Sequence, residues 1–364
     1  MKIQFRPLFL GIFAALFTSC NDNDNLQNDD TLNVSCPSDC FTINMGNFSE
    51  SNGSVCLLKE GKSIEQNIFS KANGYNLRSI IESASFYGNT ALLMCGNEDK
   101  VAYIDRKTGK ETATATTGIG LPRYAAINGI YAYVTCVNPS WTDTMGHITK
   151  INLTNFQVEK QVPIKGNPEH IVLHNKQLFI SSGNAIYTYS LAKDTITSHI
   201  PHTQSNATLR YFATDMNNKL WCSYAHYDKW GNGSDCGLVC LNENDSAIDT
   251  TITLPFMNAD GYIDVNKDKS KLYYLYSSDV VGGQNPEAQT AIYTFDFTSK
   301  TASSTPLCKG YGFYGFNVDP HTGNIYTANV NGFITNSIIS IFNDKGDLLQ
   351  TGLMAGVGTC RFYF

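Results

Sequence analysis

Residues with the means to bind or react fall into two groups. The first is aromatic: Trp141 lies in Pro139-Ser-Trp-Thr-Asp-Thr-Met145, and Tyr227 and Trp230 lie in His226-Tyr-Asp-Lys-Trp-Gly-Asn-Gly-Ser234. Large rings among small polar residues offer broad apolar contact with a hydrogen-bonding edge, which suits a planar or sugar-like ligand. The same rings can instead pack a loop against its scaffold. The second group is charged and recurs at one place in a repeated phrase, at Arg123, Glu169, Arg210 and Arg361. Three arginines against one glutamate make a cationic site able to hold phosphate or carboxylate through charge-assisted hydrogen bonds. Ion pairing between neighbouring repeats is the other use of such residues, and the sequence is compatible with both.

Familiar catalytic arrangements are missing. The chain has no G-x-S-x-G elbow, H-E-x-x-H pair, Walker loop or dinucleotide fingerprint. His170 and His174 are four apart, a zinc spacing on a helix, but on a strand they stand ~13 Å apart and cannot share one ion. The run from Asp264 to Ser270 opens like a calcium loop, yet its twelfth position is Leu275 where a bidentate Glu is needed, so it reads as a turn. The cysteines lack paired Cys-x-x-Cys units, which argues against zinc; Cys36/Cys40 and Cys236/Cys240 are each C-x3-C. We therefore expect no metal, no cofactor and no catalytic residue, and a binding role in preference to an enzymatic one.

The elements that must position these residues are short strands. Residues 167–200 compress four apolar or alternating runs, each broken by Asn, Gly, Pro or Lys-Asp, into a four-strand meander. The phrase Arg123-Tyr-Ala-Ala-Ile-Asn-Gly-Ile-Tyr-Ala-Tyr-Val-Thr135 aligns without gaps on the thirteen residues from Glu169 to Ser181. It recurs from Ser83, Arg210, Gly261 and Gly315 and, truncated, from Arg361, with successive starts 40 to 54 residues apart. That is the period of a four-stranded propeller blade, and seven starts mean seven blades.

The ends are incomplete in complementary ways. Residues 41–70 supply three strands and residues 358–364 supply one, which reads as the missing innermost strand of the same blade. The expected fold is all-β, a seven-bladed β-propeller closed by pairing of the C-terminal strand with the N-terminal blade, leaving no open ring edge. Closure brings Cys360 toward Cys40, so a disulfide between them is expected. The opening residues Ser83, Arg123, Glu169, Arg210, Gly261, Gly315 and Arg361 should face the central funnel. Loops 46–53, 73–78, 137–146, 225–237, 277–289 and 329–336 should share one face, where binding residues concentrate; Tyr75 joins the candidate ligand set from the second of these.

Composition narrows the class further. Net charge is −6 with no Lys/Arg block, which excludes the counterion-release binding that nucleic acids require. Charged residues make up 16%, while Tyr and Phe number 20 each, the balance of a strand-rich exported protein. Lys2 and Arg6 precede the apolar run 8–17, too short to span a bilayer, and Thr18-Ser19-Cys20 follows. The pattern reads as a lipoprotein signal peptide over 1–19, with Cys20 as the lipidated first residue; an ordinary signal peptide is the alternative. Residues 20–39 form an acidic tether, and 40–364 the propeller. Of the 11 cysteines, ten remain once Cys20 is lipidated, an even number that fits an oxidising compartment. Buried free thiols are the alternative for Cys56, Cys95 and Cys136.

The residues Phe41-Thr-Ile-Asn-Met-Gly-Asn-Phe48, Asn73-Gly-Tyr75 and Leu121-Pro-Arg-Tyr124 carry a family likeness. From about residue 40 onward the chain resembles the YncE-like seven-bladed propellers that gut anaerobes carry as surface lipoproteins. One subgroup captures cobalamin and passes it to a TonB-dependent outer-membrane transporter. The acidic residues after Cys20 are similar to the surface-export signal of such lipoproteins. The resemblance implies a lipid anchor in the outer membrane, exposure at the cell surface, a cobalamin-like ligand and a transporter partner. Relatives often read Asn-Glu-Gly-Asn where this chain has Asn44-Met45-Gly46-Asn47, so a carboxylate is missing there. Two other roles suit the same fold: a propeller enzyme of lyase, lactonase or glycosidase type, and a surface scaffold or adhesin binding protein or glycan.

Overall fold

The computed structural model describes residues 39–138, 145–227, 233–258, 260–279 and 283–364. The expected signal peptide, Cys20 and nearly all of the expected tether lie outside them. Seven antiparallel sheets form successive blades, and the only α-helix among the described residues is the short Ile68–Asn73, which the sequence reading did not anticipate. From the second blade to the seventh, the innermost strands are Ile81–Tyr87, Pro122–Asn128, Pro168–His174, Ala207–Thr214, Ile263–Val265 and Phe313–Val318. The first blade takes its innermost strand, Thr359–Tyr363, from the C-terminal end of the chain; it pairs with Asp39–Asn44, which is followed by Ser54–Lys59 and Ser63–Glu65. Tyr363 lies opposite Phe41, so the expected closure is present.

Alternation along the strands sends apolar side chains into the seams between blades, where Phe179, Tyr189, Tyr274, Phe295 and Phe316 are fully buried. The sixth blade departs from the meander. Its outer strand is only Thr301–Ala302, and the chain returns as Cys308–Tyr311 to cover the rest of the Gln289–Asp296 strand.

A bulge recurs near the start of the inner strands. Ile81 pairs with Cys95 and Ala84 with Leu93, so Glu82 and Ser83 together face one residue of the second strand. The same shift falls at Arg123-Tyr124, Glu169-His170, Arg210-Tyr211, Tyr314-Gly315 and Cys360-Arg361. A bulge frees backbone groups from the ladder, and buried groups of that kind need other partners. Hydroxyls supply them: Thr135 Oγ1 accepts from the Tyr124 amide and donates to the Glu169 carbonyl of the next blade at 2.7 Å. Ser181 joins His170 N–H to the Arg210 carbonyl, and Ser223 joins Tyr211 N–H to the Gly261 carbonyl, in the same way. Ser83 Oγ donates to the Arg123 carbonyl at 2.6 Å. Between the seventh and first blades the backbones meet directly, and Gly315 is glycine there because a Cβ would lie 2.3 Å from the Cys360 carbonyl oxygen.

The Cys40–Cys360 disulfide is not formed; both are buried free thiols. Pairing of Phe41 with Tyr363 leaves Cys360 near the far end of the Asp39–Asn44 strand, with its Sγ against the Ile43 carbonyl. The two side chains also pack into different seams, Cys40 with Leu58 and Tyr326, Cys360 with Phe41 and Ile43. Cys56, Cys95 and Cys136 are buried free thiols as well.

Two outcomes are expected. Thr135→Val keeps the side-chain shape but strands one N–H and one C=O, and should lower the unfolding free energy in urea by about 1–3 kcal/mol, with Thr135→Ser close to wild type. Dithiothreitol should leave the midpoint unchanged, since a bridged Cys40–Cys360 pair would make it fall.

Candidate functional site

In the second to fifth blades each bulge brings two consecutive residues to the end of the inner strands where the long loops emerge, in two tiers; in the first blade only Arg361 joins them, since Cys360 packs into a seam. The upper tier holds Glu82, Arg123, Glu169 and Arg210 on four successive blades, with Asp260 just ahead of the sixth inner strand. The lower tier holds Ser83, Tyr124, His170, Tyr211, Tyr262, Gly315 and Arg361. Arg123, Glu169 and Arg210 therefore come together as the sequence implied, whereas Arg361 belongs one tier below. The ungapped alignment placed Ser83 level with Arg123, and the bulge registers show that Glu82 holds that place.

That one-residue slip changes the electrostatics. The expected cationic mouth is instead balanced, with Arg123, Arg210 and Arg361 facing Glu82, Glu169 and Asp260. Arg123 forms an ion pair with Glu82 and a forked one with Glu169, its Nη2 2.8 Å from Oε1. Its side chain is 23% exposed, against 6% for Glu82 and 11% for Glu169, so the tier meets solvent mainly through the guanidinium. Burial works to raise Glu169, but Arg123, Arg210 and Arg361 outweigh it and hold the carboxyl below its usual range. Glu82 is raised, because burial exceeds the pull of Arg123. Asp260 is pushed up to about 6 by burial, against the opposing charge of Arg210.

The lower tier is aromatic. Tyr124 and Tyr211 share a 3.0 Å hydroxyl contact, Tyr211 stacks on Tyr262 at 4.8 Å between centroids, and Tyr314 meets Tyr262 edge-on. Arg361 reaches across the axis among them: Nη2 donates to Tyr124 Oη at 2.7 Å, and the guanidinium carbon is 4.1 Å from the Tyr262 ring centre and 4.7 Å from that of Tyr211. His170 accepts from the Phe212 amide through Nδ1 and is held neutral, down to about 3, by burial and then by Arg361. Among the described residues no three His, Cys, Asp or Glu side chains converge to hold a metal ion.

The remaining candidates part company with this site. Tyr75 sits at the outer rim, edge-on to Phe69, with its hydroxyl on Glu111 beside the turn that follows Asp105. The helix Ile68–Asn73 carries the chain there, bound to that turn through Asn73 and Gly109, so Tyr75 belongs to the turn side and not to the mouth. Trp141 and Trp230 lie outside the described residues. Tyr227 ends the strand Leu220–Tyr227 on the long-loop side. Two residues went unnoticed: Phe48, 73% exposed, and Ile334, 78% exposed, stand on loops of adjacent blades joined by Asn47 Nδ2 donating to the Phe333 carbonyl. A lone Phe or Ile in a polar loop gives no periodic signal. A charge inside an apolar run, as in Ile81-Glu82-Ser83-Ala84, was the clue to Glu82.

Solved structures share this architecture. A quinonprotein alcohol dehydrogenase-like protein from Bacteroides thetaiotaomicron matches with a TM-score of 0.65 at 13% identity, covering 89% of this chain and 77% of that one. The periplasmic gluconolactonase of Pseudomonas aeruginosa gives 0.63 at 14% identity over 89% and 99%. A putative 6-phosphogluconolactonase from Bacteroides uniformis gives 0.60 at 15% identity over 89% and 98%. At these identities the likeness is one of fold. No curated protein matches the sequence. The family described as "Domain of unknown function (DUF5074)" matches residues 38–355, and the chain belongs to it.

Proposed function

We propose that this protein is a non-enzymatic capture protein that holds a polar small molecule over the propeller mouth. The observation that carries the reading is the upper tier, an arc of fixed, alternating charges set where the long loops converge. A ligand meets pre-oriented donors and acceptors there, while Glu82 and Glu169 are engaged by Arg123 and His170 is held neutral, an arrangement suited to orienting a ligand rather than relaying protons. The resemblance to YncE-like lipoproteins supplies the finer identity: a corrinoid such as cobalamin as ligand, a lipid anchor at Cys20 in the outer membrane, display at the cell surface, and a TonB-dependent transporter as recipient. Asp39 lies at the turn-side end of its strand, paired with Lys59, on the face opposite the mouth.

Titration of the purified protein with cyanocobalamin, followed by calorimetry, tests the ligand. Saturable binding is expected, weakened at least ten-fold by Arg123→Gln, which removes about 1.4 kcal/mol or more. A flat isotherm would eliminate the corrinoid.

One observation favours a second reading. An Asp260 carboxyl poised near 6 has the acidity of a general acid or base, and propellers of the lactonase type are among the structural neighbours. Hydrolysis of glucono-δ-lactone in a pH-stat that is lost in Asp260→Asn would favour it. In the capture reading Asp260 matters only as a charge. It is ionised above about 6 and neutral below, so the mouth gains one positive charge as pH falls through that value. Affinity for an anionic ligand should rise several-fold between pH 7.5 and pH 5 in wild type and stay level in Asp260→Asn.

A further inference from the structure

Arg361 and Arg123 lie close together on the axis and are used in opposite ways. Arg123 has two carboxylates within ion-pair distance, whereas Arg361 has none among the described residues. Only 6% of Arg361 is exposed, its Nε has no hydrogen-bond partner, and its Nη2 is bound to a neutral phenol. Tyr124, Tyr211 and Tyr262 face the guanidinium with their rings, and Glu82, Glu169, Asp260 and Asp264 influence it only from further away. A buried guanidinium without a hydrogen-bonded anion is costly, and ring faces offset part of that cost while leaving the in-plane donors idle.

The surroundings leave those donors approachable. In the lower tier Ser83, on the second blade, is small, and the Gly315 side is filled by the Cys360 backbone, while the tyrosines stand across the axis, so the donors are approached past Ser83 and from the mouth. A second idle donor lies on that far side: Asn258 Nδ2, in a residue 2% exposed, has no partner, while its Oδ1 accepts from Gly261 N–H next to Tyr262. Burial raises the pKa of Tyr124 and Tyr211, so both stay protonated; one proton serves the bond between them and the other is left to donate.

We propose that Arg361 is the base of an anion socket on the propeller axis, which takes a phosphate or carboxylate group through the planar guanidinium with tyrosine hydroxyls beside it. The proposal deepens the capture reading by naming the ligand group that enters deepest, and it rests on that reading for its biological use. A planar fork of N–H donors matches an oxyanion in a way a lysine would not.

Inorganic phosphate and sodium acetate serve as probes, with sodium chloride at equal ionic strength as the reference. The urea midpoint of wild type should rise with the logarithm of phosphate concentration, as mass action requires for a ligand of the folded state. Phosphate affinity should fall at least ten-fold in Arg361→Met and remain unchanged in Lys345→Gln, a control on the turn side. Without phosphate, Arg361→Met should be as stable as wild type or more so, because an idle buried charge has been removed. No phosphate-specific shift in wild type, or an equal shift in Arg361→Met, would each overturn the socket and leave the tyrosine cage as the whole explanation of the residue. If Arg361→Met does not fold, Tyr124→Phe decides: a several-fold loss of phosphate affinity supports the socket and an unchanged value refutes it. Cyanocobalamin titrations on the same samples separate the two readings. Binding of the corrinoid without phosphate sinks the socket alone, and binding of phosphate without the corrinoid sinks only that choice of ligand.

Discussion

Four buried hydroxyls hold the inner ring in register. Ser83, Thr135, Ser181 and Ser223 are fully buried, and each donates to a carbonyl at the start of the next blade's inner segment, the first bulged residue in three cases and Gly261 in the fourth. The direction is the same every time, from one blade to its successor. A bulge alone would be a defect, since it removes backbone groups from the ladder in a place water does not reach. The hydroxyl turns the defect into a bond between sheets that share no strand pairing. Sheet-to-sheet packing is otherwise apolar and tolerant of sliding, so these bonds fix how far each blade is rotated against the next.

The charged tier follows from that geometry. The carbonyls that accept the hydroxyls belong to Arg123, Glu169, Arg210 and Gly261, so the residues that clasp the blades are also those that carry three of the tier's charged side chains. Alternation then decides the acidities. Glu169 lies between two arginines and is held low, while Glu82 and Asp260, at the two ends of the arc with one arginine neighbour each, are pushed up by burial. Position along the arc, more than residue type, separates the carboxyls. Removing any internal member would leave its neighbours charged, buried and unpaired.

The repeat, the blade count and the closure were all readable because they rest on period and on turn chemistry, which are local properties of sequence. The tier was readable only in part. An ungapped alignment assumes that equal spacing means equal direction, and in a strand one extra residue reverses every side chain after it. Arg123, Glu169 and Arg210 survived because their blades carry the bulge at the same offset in the phrase; Ser83 and Arg361 did not, and Glu82 was overlooked for the same reason. The Cys40–Cys360 expectation failed on register too: nearness of strands is not nearness of residues. Tyr75 was misplaced because the helix Ile68–Asn73, six residues long, is too short to show a helical period.

The closed lower tier constrains how any captured molecule leaves. Tyr124, Tyr211 and Tyr262 contact one another around Arg361, with Tyr314 edge-on to Tyr262, and a route straight through the propeller would have to part stacked rings and a cation-π cage. In the capture reading a ligand that enters by the mouth must return by the mouth. Transfer to a membrane transporter then needs the long-loop face to meet the transporter directly. In that reading the expected anchor at Cys20 must let the propeller turn over, and the stretch between Cys20 and Asp39 is rich in Asn and Asp, a composition that suits a flexible chain. Phe48 and Ile334, exposed beside the mouth on loops that bridge the first and seventh blades, lie where a partner surface would close over the ligand. In the capture reading the exposed apolar pair and the expected tether thus answer one requirement, that the mouth be able to meet a partner surface.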